Sequence, residues 1–134
     1  MRITPIINRI REQCPLYVAV NFPDSLLPID EIADIPAAFV FWVEEKSRTR
    51  DVVVTAQKRT YTFQVMTVGP MPNLELDTDL LDDARNQLTA ALLGFSLPGF
   101  EPITHADAVV EEIKGGKVQV KDFFEITKQF RSTN

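Results

Sequence analysis

Residues 79–100 contain the pattern that most restricts what this chain can fold into. Apolar side chains recur there every three or four residues, and on a helix they make one continuous stripe: Leu81, Ala84, Leu88, Ala91 and Leu92. One of residues 77–79 can cap the first turn, and Gly94 followed by Pro98 is typical of a helix end. Because a single apolar stripe must be buried, we expect the rest of the chain to supply a sheet on which this helix lies.

The size and charge of the chain fit one soluble domain. It has 134 residues, of which 45% are hydrophobic and 25% charged, so residues 1–134 are expected to form a single domain with one core. The net charge of −5 disfavours general binding to nucleic acid backbones, which attract clusters of lysine and arginine. Cys14 is the only cysteine, and no run approaches the roughly 20 apolar residues that cross a bilayer. We therefore expect a protein of a reducing cytoplasm with no membrane contact.

The first quarter of the chain indicates a helix and then a loop. Residues 3–14 place four isoleucines on one helical face, with Thr4 as a cap and Pro15 as the stop. Residues 21–36 are rich in proline and aspartate. That composition predicts a loop, with one short helical turn at residues 29–33.

The rest of the chain before and after the long helix indicates strands. Residues 37–43 are apolar on both alternate faces, so this strand is either covered on both sides within the sheet or buried by another subunit. Residues 44–51 are charged and predict the tip of a long hairpin, whose return strand alternates at residues 60–65. Gly115-Gly116 predicts a second, two-residue hairpin turn. The fold class is therefore α+β: a mainly antiparallel β-sheet with two helices packed on one face and a long projecting β-hairpin.

Residue types that carry chemistry are sparse. His105 is the only histidine and lies in a predicted turn at residues 105–107, and no Gly-x-Ser-x-Gly element supplies a nucleophile for it. Cys14 falls on the apolar face of the first helix, where a thiol acts as a small hydrophobe. The acidic residues at the start of the long helix lack the glycine of a calcium loop, and Asp82 is placed to pair with Arg85. We therefore expect no catalytic residue, no cofactor and no metal site.

The chain has more apolar strand surface than one helix-covered sheet needs, which predicts an association surface. The strand at residues 37–43 carries aromatic side chains on both faces, and Phe123 and Phe124 fall on opposite faces of the last strand. The basic residues at 46–50 form a small cluster at the predicted tip, which is either a solvated face or a contact with nucleic acid. The residues expected at a subunit or tail interface are Trp42, Lys46, Arg48, Arg50, Phe123 and Phe124.

Several short stretches together resemble the tail terminator proteins of long-tailed phages and prophages. The opening MRITPIINRIREQCP and the segments IPAAFVFWVEE and RTYTFQVMTV are similar to that family's first helix and central strands, and LTAALLGFSLPG is similar to the end of its helix. Pro102-Ile103, Gly115-Gly116 and the aromatic pair Phe123 and Phe124 with Phe130 are similar to that family's C-terminal hairpin. The chain differs at Phe95 and at the pair Phe123 and Phe124, where tryptophan is frequent in the family.

The resemblance implies a structural role without catalysis. Such proteins form a ring, usually a hexamer, which caps the finished tail tube, ends its polymerisation and joins it to the head connector. The implied partners are other copies of the chain, the tail tube protein and the head connector protein, while DNA passes through the ring without sequence-specific binding. The implied place is the tail or neck of a virion assembled in the bacterial host cytoplasm. Two alternatives stay open: another neck or head–tail completion protein, and a small monomeric binding domain.

Overall fold

The computed structural model describes residues 2–22, 24, 26–49, 56–71 and 79–131, with the backbone alone at residues 48, 49, 56 and 131. Its elements, in chain order, are α1 (Thr4–Gln13), β1 (Ala19–Asn21), a short 3₁₀ helix (Ile29–Glu31), β2 (Ala37–Thr49), β3 (Ala56–Pro70), α2 (Leu80–Leu92), β4 (Thr104–Lys114) and β5 (Lys117–Arg131).

The strands form one sheet in the order β1-β2-β3-β5-β4. β1 and β2 are parallel, and the other neighbouring pairs are antiparallel. The middle strand β3 pairs along its whole length with β5. β4 joins β5 through Gly115 and Gly116, whose φ angles of 61° and 76° are those that a two-residue hairpin turn requires. The predicted α+β fold with a mainly antiparallel sheet is confirmed.

Both helices lie on the same face of the sheet and bury the main core against it. The stripe predicted for α2 is buried, from Leu81 at 7% exposed to Leu88 at 0%. α1 adds Ile6, Ile7 and Ile10, which are completely buried. The inner strands β2, β3 and β5 contribute alternate residues to this core: Ala38, Val40, Tyr61, Phe63, Val65, Phe124 and Ile126. Burial of this apolar surface stabilises the fold by about 25 cal/mol per Å².

A smaller apolar cluster covers part of the opposite face. It consists of Ile29, Ile32, Ala37, Phe39, Met66 and Val68. Residues 37–40 of β2 are each at most 2% exposed, because one of their faces meets the helices and the other meets this cluster. Of the two explanations for the apolar run at residues 37–43, coverage on both sides within the chain therefore holds for the first four residues.

The ends of α2 follow the predicted signals, whereas the start of α1 does not. Asp79 Oδ1 accepts a hydrogen bond from the backbone N–H of Asp82 at 3.0 Å, and Gly94 has a φ of 77° just beyond the helix. At α1, Ile3 occupies the cap position and Thr4 is already the first helical residue, so the prediction of Thr4 as the cap is wrong. Pro5 lies in that first turn, where its fixed φ matches helical geometry.

Residues 44–49, predicted as part of a hairpin tip, continue β2 as a strand. They pair with β3 as far as Thr49 opposite Gln57, and residues 44–47 are exposed. The long antiparallel pair of β2 and β3 is confirmed. β5 runs beside it as a third strand along the whole of β3, because each added strand satisfies the backbone groups of its neighbour. The rest of the predicted tip, residues 50 and 51, lies outside the described residues.

The predicted turn at residues 105–107 is also wrong. His105 and Asp107 both lie in β4 and pair with Phe124 and Phe123 of β5. The register shifts between them, so a bulge in the strand replaces the turn. As a result the His105 side chain points toward the helix-covered face, in the same row as Phe124.

Candidate functional site

Trp42 lies at the surface where β2 leaves the core. The residue is 52% exposed, and its ring centre lies 6.5 Å from that of Tyr61. The indole Nε1 donates a hydrogen bond to the backbone oxygen of Glu44 at 3.2 Å. The register shifts between Trp42 and Glu44, which leaves Val43 as the extra residue of a bulge. The indole is therefore held in place while much of it stays in contact with water.

The predicted basic cluster at residues 46–50 is described only in part. Lys46 Nζ lies 3.1 Å from Glu44 Oε1, and both side chains are well exposed, so this pair contributes little to stability. Arg48 pairs through its backbone with Lys58 of β3, and Arg50 lies outside the described residues. An interface role for the three basic residues stays a prediction.

Phe123 and Phe124 lie on opposite faces of β5, as predicted, but they differ in exposure. Phe124 is 0% exposed: its ring stacks on Phe63 with centroids 5.5 Å apart, and His105 packs edge-on at 5.1 Å. The prediction of Phe124 as an interface residue is therefore wrong, because the core of its own chain buries it. Phe123 is half-buried on the opposite face, beside Asp107 of β4.

A buried ionic cluster, which the sequence analysis missed, joins α2, β4 and β5. Asp122 is 1% exposed and accepts hydrogen bonds from Arg85 Nε and Nη2, both at 2.9 Å. His105 Nε2 lies 3.1 Å from Asp122 Oδ1 and donates to it, since a carboxylate only accepts. The hydrogen bond to Asp122 raises the pKa of Arg85 above its usual value, although burial opposes this effect. Arg85 thus forms its hydrogen-bonded ion pair with Asp122 of β5. Asp82, the partner expected from the sequence, acts on Arg85 through its charge.

The period-two pattern of β5 contains a signal for this cluster. The buried row of the strand consists of alternate residues: Val118, Val120, Asp122, Phe124 and Ile126. A carboxylate in a buried row needs a hydrogen-bonded or charged partner. That requirement could have directed attention to the only histidine and to the one arginine of the long helix.

The cluster is arranged to fix α2 on the sheet. Both oxygens of Asp122 are occupied, and the nearby Tyr17 hydroxyl is hydrogen-bonded to Thr67 Oγ1 at 2.7 Å.

Over the described ranges, groups of three or more His, Cys, Asp or Glu side chains that could hold a metal ion are absent. A helix long and apolar enough to cross a membrane is likewise not found in the part of the chain that the structure describes.

Cys14 is expected to resist thiol reagents in the folded protein. It is 1% exposed, and burial raises the pKa of its thiol from 9.0 to about 11, against the opposing effect of the Arg9 charge. At about pH 8 the thiol is almost wholly protonated, and the thiolate is the reactive form. Reaction with iodoacetamide should therefore be slow in buffer and fast in urea. Fast labelling of the folded protein would contradict the packing role assigned to Cys14.

The raised pKa of Cys14 also makes the folded protein less stable at alkaline pH. Because the folded protein holds the Cys14 proton more tightly than the unfolded chain, this contribution is full below pH 9 and is lost as the pH rises through about 11. Burial raises the pKa of Tyr17 as well, so the sign of its contribution is the same. Urea unfolding between pH 8 and 11 should show a smaller loss of stability in Cys14→Ala than in the wild type. Equal losses would remove Cys14 as a cause.

An apolar groove with an acidic rim, which the sequence analysis did not predict, lies between α2 and β4. It has three buried residues at its floor and three exposed residues at its walls: Leu81, Val118 and Val120 below, and Met71, Val110 and Ile113 above. Val110 and Ile113 are 61% and 62% exposed. Asp79, the N-cap of α2, and Asp82, in its first turn, line the rim of this acid-rimmed groove. The Arg85 side chain also lines the groove, and its charge is paired with Asp122. Apolar side chains exposed as a group in this way usually mark an association site.

β4 is also an open edge of the sheet. All eleven of its residues are exposed, and among the described strands only β5 pairs with it. The opposite edge strand, β1, has only three residues, and the carbonyl of Val20 already accepts hydrogen bonds from Arg11 Nε and Nη2 at 3.1 and 2.7 Å. An edge strand presents unpaired N–H and C=O groups to another chain. β4 is therefore the more available of the two edges.

A second surface, at the other end of β5, combines aromatic rings with positive charge. The Tyr61 ring lies between those of Trp42 and Phe100, at centroid distances of 6.5 and 5.8 Å. Lys128 Nζ lies 5.2 Å from the centre of the Phe100 ring and 4.9 Å from that of Phe130. We call this the aromatic-basic surface, and it comprises Arg2, Trp42, Arg59, Tyr61, Phe100, Lys128 and Phe130.

Similarity to known proteins covers the whole chain. The sequence pattern of the family described as "Phage tail terminator protein" matches residues 1–134, whereas no curated protein sequence matches the chain. A chain of a solved structure, the "Virion of native gene transfer agent (GTA) particle", shares the fold with a TM-score of 0.59 over 93% of this chain and 92% of that chain. The two sequences are 11% identical, so this second similarity concerns the fold alone. On the family match, this chain belongs to the phage tail terminator protein family.

Proposed function

We propose that this chain is a structural subunit of a phage-type tail and that its copies form a ring on the end of the tail tube. The family match supports a structural component of a virion. The observation that carries the ring is the presence of two different exposed surfaces, the acid-rimmed groove and the aromatic-basic surface, toward opposite ends of β5. Contact between two different surfaces of identical subunits is head to tail, and head-to-tail contacts close into rings when the rotation permits.

In this role the ring caps the finished tail tube, ends its polymerisation and joins it to the head connector. The resemblance to tail terminators implies that the ring is a hexamer. The proposed partners are accordingly the tail tube protein and the head connector protein, in the neck of a virion assembled in the host cytoplasm. DNA passes through the ring without being held. The net charge of −5 fits that passage, because DNA binding requires clustered positive charge. The role needs neither a catalytic residue nor a cofactor.

Electron microscopy and light scattering of the purified protein, alone and with tail tube protein, test this proposal. We expect rings, either in solution or on tube ends, and tubes that stop lengthening when the protein is added. Binding to the head connector without any effect on tube length would instead indicate another neck or head–tail completion protein. A folded protein that stays monomeric in every mixture would contradict the proposal and favour a small binding domain.

A further inference from the structure

We propose that the acid-rimmed groove of one copy receives the aromatic-basic surface of the next copy, and that the Trp42 indole is the group that enters the groove. This inference rests on the proposed ring and specifies which two surfaces of the chain form its repeated contact.

One surface offers an apolar groove, and the other offers an exposed aromatic side chain that can fill it. The groove offers an apolar floor with two exposed walls, Val110 and Ile113. On the other surface, Trp42 is the most exposed of the aromatic side chains, at 52%, whereas Phe100 and Phe130 are half-buried. Tryptophan buried in an apolar pocket is among the commonest anchors of protein interfaces. Its hydrogen bond to Glu44 and its contact with Tyr61 already restrain the indole, so little side-chain freedom is lost on binding.

The charges around the two surfaces have opposite signs. The N-terminus of α2 places Asp79 and Asp82 at the groove and Asp83 beside them. Arg85 also lines the groove, but its positive charge is neutralised by its pair with Asp122. The aromatic-basic surface carries Lys128 and Arg2, and also Arg59, whose Nη1 lies 3.8 Å from Glu45 Oε1. Complementary charge around an apolar contact fixes the orientation of two partners and speeds their association. The groove should therefore accept this surface in one orientation.

A second copy fits the groove because each copy carries both halves of the contact and cannot join them within one chain. Val120 at the groove floor and Lys128 are eight residues apart on β5, which is about 26 Å along a strand. Trp42 lies two strands across the sheet at the level of Phe124, which places it about 16 Å from Val120. The groove of one chain therefore has to be filled from outside, and the same chain offers the complementary surface at a separate place. The open edge of β4 borders the groove, so a neighbouring copy can approach there without displacing a described strand.

Substitutions of exposed side chains test the apolar half of the contact. Val110→Asp and Trp42→Ala should each raise the dissociation constant of the ring by at least about 30-fold, because each removes an apolar anchor. Where rings form only on tube ends, the measured quantity is the protein concentration that caps half of the tubes. Val109→Asp is the matched control, since Val109 lies next to Val110 in β4 but on the other face of the sheet. All three variants should keep the circular dichroism spectrum of the wild type.

Charge reversal tests whether the two surfaces meet. Asp82→Lys alone and Lys128→Glu alone should each weaken the ring by about tenfold, because each brings like charges together at every contact. The double variant carries the reversed pair at every contact and should recover most of the loss. The two residues are too far apart within one chain to interact in salt, so damage to the fold by one substitution would not be repaired by the other.

Four results separate the possibilities. Weakening by the single variants with recovery in the double variant supports the contact. Rings of wild-type strength in both Val110→Asp and Trp42→Ala would overturn it, and so would a double variant weaker than either single reversal. In both of those cases the proposed ring itself would stand. A wild type that forms no ring, alone or on tube ends, would overturn the contact and the proposed function together.

Discussion

Replacing Asp122 with alanine should lower the free energy of unfolding by about 3–5 kcal/mol. The carboxylate is 1% exposed and accepts two hydrogen bonds from Arg85 and one from His105. Without it, the guanidinium beside the buried row of β5 loses its hydrogen-bonded anion and keeps only the weaker attraction of the Asp82 charge. The Arg85 side chain is 26% exposed and can turn part of its charge to water, which favours the lower end of this range. Urea unfolding at neutral pH, followed by circular dichroism, measures the change.

A double variant separates the charge effect from lost packing. Asp122→Ala combined with Arg85→Ala removes both charges, so its loss should be smaller than the sum of the two single losses. Glu125→Ala is the matched control, because this residue lies on the same strand but is exposed, and its change should stay within about 0.5 kcal/mol. A loss below about 1 kcal/mol in Asp122→Ala, or strict additivity in the double variant, would contradict the role assigned to the pair.

The parts of the fold that depend on local chemistry could be predicted from the sequence. The stripe of α2, its Asp79 cap and its end at Gly94 all follow from residues within a few positions of one another. The same holds for the turn at Gly115 and Gly116, where the backbone needs positive φ. Charge alone was a poor guide to the hairpin tip, because an exposed strand such as residues 44–49 tolerates charged side chains as well as a loop does.

The features that involve distant residues could not be read from local patterns. Asp122 finds its partners 37 and 17 positions away, on α2 and on β4. The acid-rimmed groove likewise combines side chains from α2, β4 and β5. Of the predicted interface residues, Trp42 is exposed. For Phe123 and Phe124, alternation along β5 predicts that they lie on opposite faces, but it does not determine which of the two faces inward. That choice depends on where the helices pack, and no short-range pattern contains it.

Replacing Phe124 with alanine should lower the free energy of unfolding by about 3–5 kcal/mol, through lost burial and the cavity left behind. The side chain is 0% exposed and contacts the rings of Phe63 and His105. Phe123→Ala is the matched control: the same ring is removed one position away, from the half-buried row on the other face, and the loss should be much smaller. Phe124→Leu should also lose less than the alanine variant, because it keeps most of the apolar volume.

The same variants distinguish a core residue from an interface residue. Loss of a core side chain lowers the melting temperature of the subunit by an amount that does not depend on protein concentration, whereas loss of an interface side chain acts through assembly and therefore does depend on it. Phe124→Ala should show the first behaviour in thermal unfolding at low and high concentration. If the Phe124→Ala subunit were as stable as the wild type but failed to assemble, Phe124 would be an interface residue. Because the Phe124 ring is enclosed by Phe63 and His105 of its own chain, we expect its effect on assembly to follow from the fold.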